Sequence, residues 1–356
     1  MLTIYNTLHH LHQGREEMFR GRLVPCHETA QRLDHVLAEL RRRQFGALRP
    51  LAADDGGDGL DALLARIHDR RYLQFLEHAW DEWITLDPTN VQRDALPSVW
   101  PAPGMRFDVL PENFAARMGL FSFDAGTPLT AGSWRAARTG AACALNAARE
   151  VAAGHVHSAF ALSRPPGHHA GADFFGGYCF LNNAALAAQA LRDGGAARVA
   201  VLDVDYHHGN GTQSIFYERN DVLTVSIHGD PRTEYPFFLG HADEHGTGAG
   251  VGFNLNLPLP RGTDFTRWRA ALHTGLAAIA SFGADALVVS LGVDTFEGDP
   301  ISGFTLRSAD YFDVGEDIAA ANLPTVFVFE GGYAVAEVGI NTVNVLEGFS
   351  RRSLRP

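Results

Sequence analysis

The sequence predicts an α/β fold built on a parallel sheet, and three observations carry that expectation. Short apolar runs of the kind a strand covered on both faces needs recur at 159–163, 199–202, 222–227, 286–291 and 325–329. Helical stretches separate them, most clearly at 183–192 and 265–282, and strands alternating with helices imply right-handed crossovers. Each run is then followed by polar, glycine-rich sequence. In order these are R-P-P-G-H-H-A-G, D-V-D-Y-H-H-G-N-G, H-G-D-P, G-V-D-T-F-E-G-D-P and E-G-G-Y. In a parallel sheet all five segments emerge at one edge, beyond the carboxyl ends of the strands, where ligands bind.

Along the chain, residues 2–5 are strand-like, and a polar, His-rich loop carrying Glu16 and Glu17 follows. A helix is expected from about Glu28, with Leu33, Val36, Leu37 and Leu40 at helical spacing. Residues 53–59 (A-D-D-G-G-D-G) read as a turn, and 60–84, amphipathic and rich in aromatics, as two helices. The segment 87–111 holds prolines at 88, 97, 101, 103 and 111 and has little periodicity. A structureless stretch of that length in a compact fold is usually functional or lies at an interface. Residues 130–153 form an alanine-rich helix stopped by Gly154. Asn182 caps the helix at 183–192, Gly194–Gly195 stop it, and Gly283 stops the one at 265–282. With no internal repeat and no convincing linker, 1–356 reads as a single domain, with 14–27 and 87–111 as insertions at an interface or entrance.

Composition narrows the function. Of the 356 residues 46% are hydrophobic and 20% charged, ordinary for a soluble globular protein. No apolar run approaches the roughly 18 residues of a membrane helix, and the N-terminus has no signal-peptide pattern. Cys26, Cys143 and Cys179, odd in number and widely spaced, read as reduced thiols in a cytoplasmic protein. A net charge of −12 argues against a general nucleic-acid binder and is compatible with a cationic substrate.

The chemistry concentrates at R-V-A-V-L-D-V-D-Y-H-H-G-N-G-T-Q, residues 198–213. Asp203, Asp205 and His207 are two apart, so an extended backbone sends them to one face. Two carboxylates and an imidazole leaving a buried strand together need a counter-charge, and a divalent metal supplies one. Asp205, His207 and Asp294 make the best ligand set, because two carboxylates and one imidazole leave positions open for water and substrate. His168–His169 can stand beside that water as general base and acid, and Tyr333 can hydrogen-bond a carbonyl and then its oxyanion. Each feature has a plainer reading: a polar loop for the His pair, a helix cap for Asp294, a half-buried aromatic for Tyr333. Their joint appearance at strand ends favours catalysis.

R-P-P-G-H-H-A-G…G-G-Y-C-F-L-N-N-A-A, L-D-V-D-Y-H-H-G-N-G-T-Q, S-L-G-V-D-T-F-E-G-D-P and E-G-G-Y together resemble the histone deacetylase superfamily, and within it the bacterial acetylpolyamine amidohydrolases. The resemblance is strong over 155–348 and extends more weakly to the N-terminus through E-E-M-F-R-G-R-L-V-P and I-H-D-R-R-Y-L-Q-F-L. It implies the arginase–deacetylase fold, a single open eight-stranded parallel sheet flanked by helices, with one catalytic zinc on Asp205, His207 and Asp294. It further implies His168 and His169 as the paired imidazoles, oriented by Asp203 and Asn210, the latter an Asp in some branches. Tyr333 becomes the carbonyl polariser, and Gly177, Tyr178 and Tyr235 line the acyl tunnel. Tyr235 stands where Phe is common, which points to a more polar tunnel. A structural potassium near Asp203, Asp205, His207, Ser226 and Ile227 and a homodimer also follow from the resemblance. Glu17 matches a family acid associated with polyamine binding, whereas Thr127 stands near the place of a second.

The expected activity is therefore zinc-dependent hydrolysis of a small, cationic, acetylated amine, with acetyl-lysine peptides as the alternative substrate. A dimanganese ureohydrolase of the same fold would need carboxylates where Gly209 and Phe296 stand. A non-catalytic acyl-binding module would have lost a ligand or the tyrosine, and none is missing.

Overall fold

The computed structural model describes residues 1–51 and 59–353. Among these described residues there are ten strands: β1 (Leu2–Asn6), β2 (Glu16–Phe19), β3 (Arg22–Pro25), β4 (Ala47–Leu51), β5 (Ser158–Leu162), β6 (Val199–Asp203), β7 (Val222–Gly229), β8 (Asn254–Leu259), β9 (Ala286–Leu291) and β10 (Thr325–Phe329). Eight of them form one sheet in the order β4-β1-β5-β10-β9-β6-β7-β8, every pairing parallel. This is the open eight-stranded sheet of the arginase–deacetylase fold. The five strands expected from apolar runs are all present, within two residues at each end. The two that the runs did not reveal are the sheet's edges, β4 (A-L-R-P-L) and β8 (N-L-N-L-P-L). Each carries a proline, Pro50 or Pro258, which an edge strand tolerates because one row of its N–H groups has no ladder partner.

Successive side chains along a strand point to opposite faces, so the sheet has a core on each side. Ala159, Ala161, Val199, Val201, Val326 and Val328 join the first, beneath helices Leu60–Ile67, Arg70–Leu86, Ser133–Ala152 and Asn183–Asp193. Phe160, Leu162, Ala200, Leu202, Phe327 and Phe329 join the second, beneath helices Gln31–Arg42, Phe265–Phe282, Asp310–Ala319 and Val335–Ser353. The expected caps are in place. The Asn182 side chain accepts from Ala185 N at 2.8 Å, and Gly283 ends its helix at φ 68°. The alanine-rich helix begins at Ser133, three residues later than expected, because Thr130 N donates to the Ser133 hydroxyl and forms a turn there.

Two expectations change. The loop carrying Glu16 and Glu17 is an antiparallel hairpin, β2 with β3, turned at Arg20 and Gly21, both at positive φ. The segment 87–111 is largely irregular, as expected, but contains a short 3-10 turn, Pro88–Gln92, and a bridge from Ala95 to Leu129. The turn expected at 53–59 lies outside the described residues, except for Gly59, which opens helix Leu60–Ile67 at φ 101°.

Candidate active site

The loops after β5, β6, β9 and β10 converge at the carboxyl edge of the sheet. Strand β6 stops at Asp203, so Asp205 and His207 do not leave an extended backbone as their spacing suggested. Two successive turns bring them together instead: Asp205 N donates to Asp203 Oδ1 at 3.1 Å, and His207 N to Asp205 Oδ1 at 2.9 Å. Asp294 reaches in from the loop after β9, where its Oδ1 accepts from Tyr206 N at 2.7 Å. Close approach explains the glycine that follows His208: a Cβ on Gly209 would stand 2.2 Å from Asp203 Oδ2.

One ligand atom each from Asp205, His207 and Asp294 lies within 4.8 Å of the other two, and all three residues are buried. His207 Nδ1 is 3.0 Å from Asp294 Oδ2 and 3.4 Å from Asp205 Oδ1. Burial, together with the like charge of Asp205, raises the Asp294 carboxyl to about 7. Burial also pushes Asp205 up, but the charges and hydrogen bonds of His168 and His207 outweigh it and hold that carboxyl well below its usual range. Two carboxylates facing one another in a dry site need a cation between them. The backbone leaves room: a Cβ on Gly331 would stand 2.5 Å from Asp205 Oδ2 and 2.6 Å from Asp294 Oδ2. An oxygen, oxygen, nitrogen set suits a borderline divalent ion such as zinc. Among the described residues a second buried group meets the same distance test, His168, Cys179 and Glu330. Two of these side chains are engaged in holding backbone: the Cys179 thiol donates to the Gly177 carbonyl at 3.2 Å, and Glu330 Oε2 accepts from Gly167 N and His168 N.

His168 and His169, on the loop after β5, have ring centroids 4.0 Å apart. His168 Nδ1 lies 2.9 Å from Asp203 Oδ2, and His169 Nδ1 lies 2.7 Å from Asn210 Oδ1. Burial alone would lower His168, but the charges of Asp203 and Asp205 outweigh it and raise the pKa to about 10. His169 has no such partner, so burial and the charges of His168 and His207 hold it well below 6.5.

A cavity of about 480 Å³ opens onto these groups and is lined by His169, His207 and Tyr333, together with Glu17, Gly177, Tyr178 and Tyr235. His168, Asp203, Asn210, Asp205 and Asp294 lie behind that lining, and none of the lining comes from 87–111. The Tyr333 phenol, raised well above 10 by burial, keeps its proton. The Tyr235 hydroxyl donates to Asp124 Oδ2 at 2.7 Å, so this wall of the cavity carries a phenol fixed to a carboxylate. Glu17 is buried at 1% exposure and accepts from Tyr178 OH at 3.0 Å, with His27 Nδ1 at 2.6 Å.

Several residues that hold this site were not assigned roles from the sequence. Asp299 Oδ2 accepts from Tyr333 N at 2.7 Å, and Glu330 Oε2 accepts from Gly167 N at 2.7 Å and His168 N at 3.1 Å. Arg164 is wholly buried and bonds Glu28 through Nε at 2.7 Å and Nη2 at 2.8 Å, and it also donates to the carbonyls of His9 and His12. Arg32 bonds Glu28 and the carbonyls of Gly332 and Glu330, with its guanidinium 4.7 Å from the centre of the Tyr333 ring. Asp299, Glu330 and Arg164 belong to the motifs already quoted, and that membership was the available signal.

Comparison with known proteins agrees with this geometry. The Histone deacetylase domain family matches residues 26–349. The chain belongs to the histone deacetylase family. It is 53% identical to acetylpolyamine amidohydrolase 2 of Pseudomonas aeruginosa, over 98% of both chains. It is 47% identical to the acetylpolyamine amidohydrolase of Mycoplana ramosa, over 98% of this chain and 99% of that one. The crystal structure of acetylpolyamine aminohydrolase from Burkholderia pseudomallei superposes with a TM-score of 0.91 at 39% identity, covering 99% of each chain. Membership makes the protein a metal-dependent deacetylase acting on linear amides. Among the described residues no helix is long and apolar enough to cross a membrane.

Proposed function

We propose that this deacetylase removes acetyl groups from acetylated polyamines or related small acylated amines, with one zinc held by Asp205, His207 and Asp294. The observation that carries the chemistry is the convergence of that donor set, two imidazoles in opposite proton states and a protonated phenol at the lining of one cavity and directly behind it. Kinship to three acetylpolyamine amidohydrolases and a negatively charged chain support the cationic substrate.

When bound, the metal supplies Lewis acidity, acidifying a water and polarising the acyl oxygen. His169 is neutral, and its Nδ1–H is held by Asn210, so Nε2 is free to take a proton from the attacking water. The water oxygen bonds to the acyl carbon, and Tyr333 donates to the oxyanion that develops. His168, charged and anchored by Asp203, stabilises that negative charge through space. As the C–N bond breaks, the proton on His169 passes to the departing amine, and the proton remaining on the new carboxyl group follows it, leaving acetate and an ammonium.

A structural potassium at Asp203, Asp205, His207, Ser226 and Ile227 belongs to the same reading. It is supported by the pairing of Asp203 with Ser226 in the β6–β7 register and by the burial of both side chains. Exposed apolar side chains on the proline-rich segment, among them Met105, Phe107 and Val109, support a homodimer. Three free cysteines support a cytoplasmic location.

The test pairs a metal assay with a substrate panel. Purified protein should carry one equivalent of zinc and hydrolyse acetylputrescine, acetylcadaverine or acetylspermidine faster than an acetyl-lysine peptide. Asp205→Ala should lose both metal and turnover. Full zinc occupancy with normal turnover in that variant removes the ligand assignment, and a preference for the peptide removes the polyamine substrate.

A further inference from the structure

Three carboxylates line the catalytic cavity: Glu17, Asp124 and Glu234. They differ in what neutralises them. Glu17 Oε1 lies 2.6 Å from His27 Nδ1, an imidazole whose pKa is raised chiefly by that hydrogen bond. Glu234 is paired with Arg261 at 3.2 Å. Asp124 has neutral partners. Its Oδ1 accepts from Gly126 N at 3.0 Å, and its Oδ2 accepts from Gly177 N and the Tyr235 hydroxyl, both at 2.7 Å. Among the described residues no ion pair reaches it. The lining's one arginine, Arg20, stands over the Phe19 ring at 4.9 Å instead.

Neutral donors fix a carboxylate without cancelling its charge, which leaves it available to a cation. Asp124 is half-buried in the cavity wall. It holds the backbone of Gly177, where φ is 54° and a Cβ would stand 2.2 Å from His169 Cδ2. Tyr235, which fixes the other side of Asp124, stacks on Phe123 at 5.8 Å and meets the His169 ring edge-on at 5.1 Å. The charge therefore belongs to the tunnel wall beside the reacting groups.

We propose that Asp124, set by Tyr235 and Gly177, is the residue that selects an ammonium-bearing acetylated amine, and that Glu17 is the secondary acid. The inference rests on the polyamine reading above and makes it specific: a slender mono-acetylated diamine places its free ammonium against Asp124 while its acetyl group reaches Tyr333. Tyr235, a departure from the usual Phe, and Thr127, a departure from the usual second acid, then belong together. The second charge is present three residues earlier, and the extra phenol holds it in place.

The experiment measures kcat/KM at low salt for acetylputrescine and for N-pentylacetamide, which replaces the ammonium by a methyl group. In wild type the cation should be preferred. Asp124→Asn should lower the ratio of the two by about tenfold or more, chiefly through KM, as expected for the loss of a charge-assisted bond. Glu17→Gln should lower it by less than about threefold. Asp124→Glu, which keeps the charge, should restore much of the preference and gives a second reading if Asp124→Asn folds poorly. A purely structural Asp124 slows both substrates in the same proportion in every variant, and that outcome overturns the inference. The two readings also fail differently. A wild type indifferent to the ammonium removes the polyamine substrate itself, whereas a preference surviving in Asp124→Asn removes only Asp124.

Discussion

His168 and His169 are neighbours in sequence, both buried, with rings in contact and tilted by 44°, and each has Nδ1 on a side-chain oxygen less than 3 Å away. They nonetheless hold opposite proton states. The partner of His168 is a carboxylate, Asp203, and that of His169 is an amide, Asn210. Burial works against a proton on either ring, and the neighbouring charges decide which keeps it: Asp203 and Asp205 beside His168, and the cationic His168 and His207 beside His169. The amide has a second effect. It fixes the His169 tautomer without supplying a counter-charge, so the ring that faces the cavity stays neutral and able to accept a proton.

The sharpest way to break this contrast is to remove each ring in turn. His169→Ala should cost about 10³–10⁴ in kcat, near the upper range for an acid–base group. His168→Ala should cost about 10², the scale of one electrostatic donor. A reversed order would mean that the charged ring carries the proton. Next in size is Tyr333→Phe, expected to lower kcat by about 10²–10³ with a smaller change in KM, because its hydroxyl acts on charge that develops only in the transition state. Turnover within a few-fold of wild type would assign the oxyanion to another group.

Asn210→Asp makes the two partners alike. A carboxylate at that distance should raise the His169 pKa by about one to three units. Because His169 must be neutral to accept a proton, the acidic limb of the kcat/KM profile should move to higher pH by the same amount. An unmoved limb would show that His169 does not control it.

The smallest effect belongs to Glu17 and its partner. His27 has its pKa raised first by the hydrogen bond to Glu17, with the charges of Glu17 and Asp299 adding to it. Below the ordinary His value the pair is fully charged and its stabilisation of the hairpin complete. As pH rises through the raised value that stabilisation is lost, and the Glu17 charge is uncovered. Glu17→Gln should therefore lower selectivity for a cationic over a neutral acetamide by less than about threefold at pH 6, and by more at alkaline pH. A selectivity change that does not depend on pH would separate Glu17 from His27.

The groups that act on substrate were legible in the sequence because each lies in a short motif immediately after a buried strand, and a parallel sheet brings all such motifs to one edge. The supports were harder to read. Asp299 fixes the backbone of Tyr333 from 34 residues away, and Glu330 fixes that of His168 from 162. Nothing in local spacing announces either contact. Asp124 was missed because the second acid was sought at the position of Thr127, and the Tyr235 that holds it lies 111 residues further on. The edge strands were hidden by the prolines that make them suitable edges, and the hairpin at Glu17 by an inverted pattern, with Met18 and Leu23 exposed while Glu17 itself is buried.

The buried arginines bear on the order in which the molecule is completed. Arg164 holds the loop of the paired histidines to carbonyls at His9 and His12, some 150 residues back, and Arg32 grasps carbonyls beside Tyr333 about 300 residues ahead. A ribosome releases those first turns long before their partners exist. Contacts between such distant positions are slow to form, because a long loop must close before they add stability. The proton-transfer machinery thus waits on both ends of the chain, and a half-made polypeptide has the strands of a hydrolase without the means to hydrolyse anything.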